Sequence, residues 1–512
     1  MGYREISLKL PADYNEDELR KGIGKELGIQ EFSYQIENKS LDARKKENIH
    51  WLVRVLVLSG EVEGGVPLLS PSLEIPYRKR RERAVVVGSG PAGFFAAFIL
   101  QKAGFHTTII ERGTDVHKRA EGIREFEKTG VFNPISNYAF GEGGAGTFSD
   151  GKLTSRSKHI SKERQFILSS YISAGAPEEI GYMAHPHLGS DNLRKIVRNL
   201  RDAFSNIGGS VLFETMLEDL KIKDGKVIEA ITTSGGIEAD YFIIAPGHSA
   251  YETYRMLIRR GVQFRTKSFA IGSRVEHPQE IINKAQWGRE RLAGVKAAEY
   301  RLTSPGDGNL PVYTFCMCPG GTVVPAAAYQ DTNIVNGMSL YMRDGKFANA
   351  ACVAGVHPDK LIGREATPEE ALDWLEALEQ SFYQYSDGFK APFCSIQNFI
   401  NRKEPAEIVE SSYPLELKPA ALWNLLPAEV SSSIREGLKD FSRKIKGFET
   451  GSIMGLESKT SSPIQVLREK DSRCTGFENL YLVGEGSGCA GGIISSGADG
   501  IKAAINIIEN NV

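Results

Sequence analysis

Residues 84 to 112 of the 512-residue chain read AVVVGSGPAGFFAAFILQKAGFHTTIIER, and this stretch decides the fold. The β-branched run at residues 85–87 indicates a strand, GSGPAG indicates a tight turn, and the apolar run after it indicates a helix of about three turns. A second apolar strand is expected to end at Glu111. This order of strand, glycine turn, helix, strand and terminal acid predicts a βαβ nucleotide-binding unit.

The spacing of the glycines has a mechanical reason. Gly88 lets the chain leave the strand in a tight turn, Gly90 lets backbone N–H groups approach a pyrophosphate, and Gly93 lets the helix pack closely on the strand. The helix would then face the phosphates with the positive end of its dipole. Glu111 stands at the offset where a carboxylate accepts hydrogen bonds from ribose hydroxyls. An ordinary glycine-rich turn is the alternative, and the order of the elements around the turn disfavours it.

Composition predicts a globular protein of several domains. The length exceeds that of a single core, and 41% hydrophobic and 25% charged residues exclude global disorder. Lys and Arg number 62 and Asp and Glu number 64, so the net charge of −2 provides no basic field for nucleic acid or anionic lipid. The uncharged run at residues 84–100 is too short for a membrane span, and GSGPAG would break it.

Cysteine usage and the N-terminus favour a reducing cytoplasm. The stretch MGYREISLKLPADYNEDELR lacks the apolar segment of a secretion signal. The six cysteines include no CxxC pair, so we expect neither a disulfide framework nor a metal site.

The chain is expected to contain three units. Residues 1–75 read as a small α+β module, with Asn15 as a helix N-cap. The Pro-rich stretch VPLLSPSLEIP and the charged run at residues 78–83 follow as a solvated linker, for which a phosphate or RNA contact is the alternative. Residues 80–260 and 451–512 form a discontinuous nucleotide-binding domain. Residues 261–450 form an inserted mixed sheet with helices, one of which opens with the capping box TPEE at Thr367.

A second glycine-rich stretch follows the βαβ unit. In NPISNYAFGEGGAGTFSDGKL, five glycines fall between residues 141 and 151. Such a run adds no side-chain burial to a core, so it indicates backbone that lies against a flat or phosphorylated ligand. A flexible surface loop is the alternative, and the interleaved aromatic residues disfavour it.

With these stretches in place, the chain resembles a flavoprotein of the glutathione reductase superfamily, on the branch that includes fumarate reductase-like enzymes. The resemblance rests on GSGPAG with Glu111, on IIAPG at residues 243–247, and on NLYLVGEGSG at residues 479–488. More closely, the chain resembles the bacterial family of uncharacterised FAD-dependent dehydrogenases, through FGEGGAGTFSDGKL, APGHSA, YTFCMCPGG and GSGCAGGIISSGADG. The implied fold is α/β: a discontinuous Rossmann-like FAD-binding domain, an inserted mixed-sheet substrate domain and the small N-terminal α+β module.

The resemblance implies which residues contact FAD. The first glycine turn would hold the pyrophosphate, Glu111 the ribose, and Arg112 and Leu217 the adenine side. Glu485 stands where the wider superfamily often has Asp, and Tyr251 stands where the closer family would have Arg. The implied cofactor contacts are Gly88, Gly90, Pro91, Ala92, Gly93, Glu111, Arg112, Gly143, Gly144, Ala145, Gly146, Thr147, Leu217, Ala245, Gly247, Gly484, Glu485, Gly492 and Ile493.

Four residues are candidates for the substrate side of the flavin. Cys316 and Cys318 share one face of a strand and could meet a ligand or the flavin together, whereas the alternative is a pair of buried apolar thiols. Arg274 and His277 in SRVEHP could anchor an anionic substrate and donate a proton, whereas the alternative is a surface ion pair and a capped turn.

Other polar residues are weaker candidates. His185 and His187 are read as structural. His248, after the turn at residues 245–247, has a backbone-positioning role or a proton-transfer role. Lys152 is read as solvated, and a contact with the flavin or with a substrate carboxylate is the alternative.

The expected function is that of an FAD-dependent oxidoreductase, a dehydrogenase or reductase that moves hydride between bound flavin and a small organic substrate. Only one GxGxxG occurs in the proper context, which predicts no second Rossmann domain. The absence of CxxC separates the chain from the disulfide reductases. NADH or NADPH is a candidate transient electron donor. A flavin-dependent RNA-modifying or RNA-binding protein is the alternative function.

Overall fold

The computed structural model describes residues 2–65, 72–405 and 409–510, so residues 66–71 of the predicted linker lie outside the described part. The first elements are β1 (Gly2–Pro11), α1 (Glu16–Leu27), β2 (Ser33–Asp42) and β3 (His50–Ser59). They form an antiparallel sheet of order β1-β3-β2 with one helix packed on it. The predicted N-cap is confirmed, because Asn15 and Glu18 form a capping box at the start of α1.

The predicted βαβ unit opens the next segment. The unit consists of the first three elements of this segment. The elements of the segment are β4 (Arg83–Val87), α2 (Pro91–Lys102), β5 (His106–Ile110), α3 (Val116–Thr129), α4 (Ser161–Ser173), α5 (Gly189–Asn206), β6 (Ser210–Leu212), β7 (Leu217–Lys223), β8 (Lys226–Thr232), β9 (Gly235–Glu238), β10 (Tyr241–Ile244) and α6 (Tyr251–Arg259). The strand β5 ends one residue before Glu111. β7, β8 and β9 form a separate antiparallel sheet.

The remaining elements follow from residue 264. They are β11 (Phe264–Thr266), β12 (Phe269–Pro278), α7 (Gln279–Trp287), β13 (Thr303–Ser304), β14 (Val312–Cys318), β15 (Gly321–Pro325), β16 (Val335–Ser339), β17 (Phe347–Val356), α8 (Pro358–Ile362), α9 (Pro368–Ser386), β18 (Ala391–Ser395), α10 (Ile396–Asn401), β19 (Leu417–Pro419), α11 (Leu422–Leu425), α12 (Ala428–Lys444), β20 (Ser452–Glu457), β21 (Ile464–Val466), β22 (Leu480–Leu482) and α13 (Ile493–Glu509). The capping box at Thr367 is confirmed at the start of α9.

A five-stranded parallel sheet of order β22-β10-β4-β5-β6 carries the nucleotide-binding motif. β22 pairs with β10 at Ile243 and Tyr481, so this sheet includes a strand from the last part of the chain. α2 and α13 share one core cluster, which includes Phe95, Ile494 and Ile501. α2 follows β4 and α13 follows β22, and both strands belong to the parallel sheet, so the two helices begin at the same edge of that sheet.

A seven-stranded sheet of order β13-β14-β17-β12-β20-β18-β19 forms the second large layer. β20 pairs with β12 and β18, so this sheet extends beyond residue 450, where the sequence placed the end of the inserted unit. The local sequence could not show this, because the position of β20 depends on its partner strands.

No helix within residues 2–65, 72–405 and 409–510 combines the length and the apolar character that a membrane crossing requires.

Candidate functional site

The Glu111 carboxylate closes the first glycine turn. One oxygen accepts hydrogen bonds from the Ser89 N–H at 3.0 Å and the Ser89 hydroxyl at 2.7 Å. The other accepts from the N–H groups of Gly113 at 2.9 Å and Gly141 at 3.1 Å. A carboxylate has about four acceptor positions, so the chain uses all of them. The Ser89 hydroxyl is the one side-chain donor among the four, and it can rotate away from the carboxylate.

Gly88 and Gly90 have different structural roles in this turn. Gly88 has φ +95°, and a Cβ there would lie 2.2 Å from the carbonyl oxygen of Ala245, so only glycine fits. Gly90 is the N-cap of α2, and a Cβ there would meet nothing nearer than Gly144 Cα at 3.6 Å. Among the residues that the structure describes, no side chain caps α2. The first N–H groups of the helix, including those of Ala92 and Gly93, are therefore available to an anionic group.

The three glycine-rich stretches meet at one place. Gly90 lies opposite Gly144, and a Cβ on Gly146 would lie 3.2 Å from Ile493 Cγ1, in the first turn of α13. The Tyr254 hydroxyl lies 3.2 Å from the carbonyl oxygen of Gly247 and 3.0 Å from that of Gly486. The implied cofactor contacts from residues 88–93, 143–147, 245–247 and 484–493 are thus brought together.

Arg119 holds the second glycine-rich stretch, and the sequence interpretation missed it. This arginine of α3 is fully buried, and burial lowers its pKa to about 10. Its guanidinium donates to five carbonyl oxygens, those of Asn137, Tyr138, Gly141, Glu142 and Gly144. The sequence could have indicated a buried arginine, because Arg119 lies three residues after Val116, on the helix face that also carries the apolar Ala120 and Ile123.

The adenine-side candidates lie beside Glu111. The Arg112 guanidinium bonds to Glu252 and lies 3.8 Å from the centroid of the Phe140 ring. Leu217 is buried at the start of β7, two residues after Thr215, whose N–H donates to the carbonyl oxygen of Glu111 at 2.9 Å.

The C-terminal turn is organised by Glu485. One carboxylate oxygen accepts from the Gly492 N–H at 2.9 Å, and the other lies 3.0 Å from His248 Nδ1. Burial disfavours the charged form of Glu485, but His248 and the Gly492 N–H outweigh burial and lower its pKa. The Gly484 N–H donates to Asp499 of α13 at 2.8 Å. α13 begins after Gly492 with no side-chain cap, as α2 does after Gly90.

Arg274 is fully buried, and the chain engages every N–H of its guanidinium. It donates to Glu457 at 2.7 Å, and the other acceptors are Asn349 Oδ1 at 2.7 Å, Asn336 Oδ1 at 3.2 Å, the Cys316 carbonyl oxygen at 2.7 Å and Cys318 Sγ at 3.5 Å. The sequence interpretation expected Arg274 to anchor an anionic substrate, but these five contacts use all of its N–H donors. The geometry gives Arg274 the task of fixing the segment around Cys316 and Cys318.

His277 does not join Arg274. The two residues are three apart on β12 and so face opposite sides of the sheet. The His277 Nε2–H donates to the carbonyl oxygen of Phe448 at 2.7 Å, and burial lowers the pKa of His277 to about 4. The expected proton donation to a shared substrate with Arg274 is therefore corrected to a packing and hydrogen-bonding role.

Cys316 and Cys318 lie at a bulge of β14, where the register with β17 shifts between Phe315 and Cys318. Cys316 has φ +43°, a backbone conformation that non-glycine residues rarely adopt, and the Arg274 hydrogen bond to its carbonyl oxygen holds it there. Cys316 is partly buried and Cys318 is fully buried. A hydrogen bond from the Cys318 thiol, with Arg274 and Lys152 nearby, lowers the pKa of Cys316 to about 6.

Two charged residues at the end of the second glycine-rich stretch form ion pairs with later parts of the chain. Asp150 forms a buried ion pair with Arg343, and Lys152 Nζ lies 3.3 Å from Glu299. Lys152 is thus paired, contrary to the solvated role expected from the sequence. His187 Nε2 lies 3.0 Å from the carbonyl oxygen of Tyr341, and burial lowers the pKa of His187 to about 4, which fits a structural role.

The charged run at residues 78–83 is not uniformly solvated. Arg80 is buried, with its guanidinium 4.5 Å from the centroid of the Phe105 ring. Arg80 therefore presents no exposed cation to a phosphate.

Comparisons with known proteins follow the same division of the chain. Residues 81–249 match the family described as "FAD binding domain", and residues 268–460 match "FAD-dependent protein, C-terminal domain-like". Residues 3–58 match a domain of unknown function, DUF8436.

Solved structures resemble the chain only remotely. Glycine oxidase from Bacillus cereus is 12% identical with a TM-score of 0.34, and the match covers 84% of this chain and 96% of that one. A geranylgeranyl bacteriochlorophyll reductase-like protein from Thermoplasma acidophilum is 15% identical with a TM-score of 0.38, covering 84% and 79%.

A whole-length relative is much more similar. An uncharacterised protein from Clostridium beijerinckii is 37% identical over 532 aligned positions, which cover 99% of both chains. The chain therefore belongs to the same family as this Clostridium protein, with an FAD-binding domain followed by the C-terminal domain of FAD-dependent proteins.

Proposed function

We propose that this protein is an FAD-dependent oxidoreductase, a dehydrogenase or reductase that transfers hydride between bound flavin and a small organic substrate. The observation that carries the proposal is the meeting of three glycine-rich stretches at the N-termini of α2 and α13, neither of which is capped by a side chain within the described part of the chain. Two such helix ends offer unpaired N–H groups and positive dipole ends to a pyrophosphate and to a reduced flavin ring.

The residues present fit FAD. The open space beside Gly90 is a cradle that a Cβ would partly fill, and the Ser89 hydroxyl can yield its place on Glu111. Gly492 has φ +86°, and a Cβ there would meet nothing within 4 Å, so its backbone is open to a flat ring. When bound, FAD supplies a hydride acceptor and donor. The FAD contacts remain those implied above, from residues 88–93, 111–112, 143–147, 217, 245–247, 484–485 and 492–493.

His248 is the residue best placed to hold or move a proton. Its Nδ1 is fixed by Glu485, whereas its Nε2 is buried and without a hydrogen-bond partner among the described residues. An imidazole oriented by a carboxylate on one nitrogen presents the other to a ligand. Glu485 is thus a positioning residue, and His248 Nε2 meets the reacting group.

The parallel sheet defines the FAD-binding unit of the proposal, from residues 80–260 and the C-terminal segment. The substrate unit begins near residue 261 and includes β20, up to about residue 460, where the family match ends. NADH or NADPH is the proposed transient electron donor. The cytoplasm is the proposed location, because all six cysteines are free.

The test is to purify the protein, record its visible spectrum and identify the cofactor released on heat denaturation by chromatography. We expect FAD, bleached anaerobically by NADH or NADPH. The variant His248→Asn should retain FAD, but NADH or NADPH should bleach its flavin more slowly. His357→Asn, at a partly exposed histidine that caps α8, is the matched control and should behave as the wild-type protein does. A protein that takes up no FAD, or a flavin that no reductant bleaches, would contradict the proposal.

A further inference from the structure

The sheet of the N-terminal module has two edges, and the rest of the chain pairs with one of them. β2 lies at that edge, where the Lys39 N–H donates to the carbonyl oxygen of Tyr182 at 2.9 Å and the Ala184 N–H donates to the carbonyl oxygen of Lys39 at 2.9 Å. β1 lies at the other edge, and among the residues that the structure describes no strand pairs with its outer side. An open strand edge presents a row of backbone donors and acceptors to a further strand.

β1 is long and regular, as a pairing edge requires. Its residues pair with β3 in one register without a bulge, from Gly2 opposite Ser59 to Pro11 opposite His50. The start of the strand is covered, because a Cβ on Gly64 would lie 2.5 Å from the carbonyl oxygen of Tyr3. The pairing surface is therefore the part of β1 that follows residue 3.

Pro11 shows which backbone groups of β1 point outward. Proline has no N–H, so Pro11 cannot donate to β3, and its carbonyl oxygen accepts instead from the Tyr14 N–H at 3.3 Å. In an antiparallel pair, residues alternate between those that bond to the neighbouring strand and those whose N–H and C=O point away from it. The odd-numbered residues of β1 therefore point away from β3, and the backbone groups of Glu5, Ser7 and Lys9 face the open edge.

We propose that the open edge of β1 pairs antiparallel with the same edge of a second copy of this chain, about a two-fold axis at Ser7. In this register Glu5 lies opposite Lys9 of the second copy, and Lys9 lies opposite Glu5 of the second copy. Both side chains are exposed and lie on one face of the sheet, since they are four residues apart on a strand. Directly opposed opposite charges stabilise a sheet, whereas like charges destabilise it.

The charges select this register over its neighbours. An axis at Glu5 would set two glutamates against each other, and an axis at Lys9 would set two lysines against each other. On the other face of the sheet, the axis at Ser7 places the partly buried Ile6 against Leu8 of the second copy, which extends the apolar cluster of the module. The pairing would form about six backbone hydrogen bonds and join the two sheets into one.

The proposed dimer gives the N-terminal module a role that the flavin chemistry does not require. β1 and β2 lie at opposite edges of the sheet, so two copies can meet at β1 without displacing the contact between β2 and residues 182–184. The inference is therefore independent of the proposed function, and it stands or falls on the oligomeric state of the protein.

The first experiment is sedimentation equilibrium of the purified full-length protein over a range of concentrations. We expect a mass twice that of one chain, and a dimer dissociation constant raised by at least about tenfold in Glu5→Lys and in Lys9→Glu, because each change opposes like charges twice. The double variant Glu5→Lys/Lys9→Glu should recover most of the affinity. Arg54, opposite Ser7 on β3, contacts Glu5 at 3.4 Å and is diagonal to both positions, so the exchange keeps an acid near it.

The control is Glu26→Lys, a charge reversal at an exposed position of α1 in the same module, which should leave the dissociation constant unchanged. A monomeric wild-type protein would overturn the inference. Single variants that dimerise as tightly as the wild-type protein, or a double variant no tighter than the single ones, would show that any dimer forms through another surface.

The second experiment tests the backbone pairing. Ser7→Pro removes the N–H at the axis, and proline is tolerated on an edge strand where the N–H faces outward. This variant should melt as the wild-type protein does when both are monomeric, yet fail to dimerise. In the wild-type protein, amide hydrogen exchange of the peptide with residues 2–11 should slow as the protein concentration rises. A dimeric Ser7→Pro, or exchange that does not vary with concentration, would overturn the inference.

Discussion

Arg119 determines the shape of the second glycine-rich stretch through hydrogen bonds that lysine cannot reproduce. Its planar guanidinium reaches five carbonyl oxygens, whereas an ammonium has three donors on a single atom. We expect Arg119→Lys to leave carbonyl groups of residues 137–144 unpaired and to weaken FAD binding by at least about tenfold. The measurement is the dissociation constant for FAD, followed by flavin fluorescence with the apoprotein.

The control is Arg124→Lys, the same chemical change at an exposed position of the same helix. This variant should bind FAD as the wild-type protein does. Equal affinities in the two variants would mean that Arg119 does not organise the second glycine-rich stretch for FAD binding.

The burial of neutral His277 predicts that the folded protein loses stability in acid. Because burial lowers its pKa from 6.5 to about 4, the unfolded chain binds a proton between these pH values that the folded protein does not. The contribution of His277 to stability is therefore lost as the pH falls from 6.5 to about 4, by up to about 3 kcal/mol.

The variant His277→Phe lacks this proton. At pH 7.5 the wild-type protein should be the more stable, since the variant leaves the Phe448 carbonyl oxygen without its donor. Urea unfolding at a series of pH values should show this advantage shrinking towards pH 4. His187 titrates in both proteins and cancels in the comparison. An advantage that does not vary with pH would show that His277 is not buried in its neutral form.

Gly88 and Gly90, in the turn between β4 and α2, are required for different reasons. Gly88→Ala would force a Cβ against the Ala245 carbonyl oxygen at φ +95°, so we expect a loss of at least about 2 kcal/mol of stability. Gly90→Ala has room in the folded chain, and its Cβ would occupy the space proposed for the pyrophosphate. Gly90→Ala should therefore keep the Tm of the apoprotein within about 2 °C and lose at least about tenfold in FAD affinity.

Calorimetry of the two apoproteins and FAD titration distinguish these effects. If Gly90→Ala bound FAD normally, the cofactor would not approach the start of α2.

Local sequence predicted those elements whose signals are local. The capping boxes at Asn15 and Thr367 and the βαβ unit depend on residues within a few positions of one another. The bulge at Cys316 and the pairing of β20 depend on strands more than thirty residues away in the chain. Arg274 shows the same limit at the site: SRVEHP marks a strand, but its acceptors Asn349 and Glu457 come from other strands of the sheet.

Segments next to the parallel sheet contact segments next to the seven-stranded sheet beside the proposed FAD site. The second glycine-rich stretch lies between α3 and α4, and residues 340–346 connect β16 to β17 of the seven-stranded sheet. Asp191 accepts a hydrogen bond from the Tyr341 N–H at 2.9 Å, and Asp150 pairs with Arg343. The Asp150–Arg343 pair, both of whose side chains are buried, thus joins the second glycine-rich stretch to the segment between β16 and β17.

The Asp150–Arg343 pair tests this coupling. Both side chains are almost fully buried, so Asp150→Asn removes the nearer carboxylate partner of Arg343, leaves Glu299 at 3.7 Å, and should cost about 3 kcal/mol. Arg343→Met alone leaves the carboxylate unpaired, and the double variant removes both charges, so it should be more stable than the sum of the two single losses by about 2 kcal/mol or more. Urea unfolding of the four proteins measures this difference. Glu410→Gln, in the exposed pair with Lys346, should change stability by less than about 1 kcal/mol. Strictly additive losses would mean that the two sheets are held together without this ion pair.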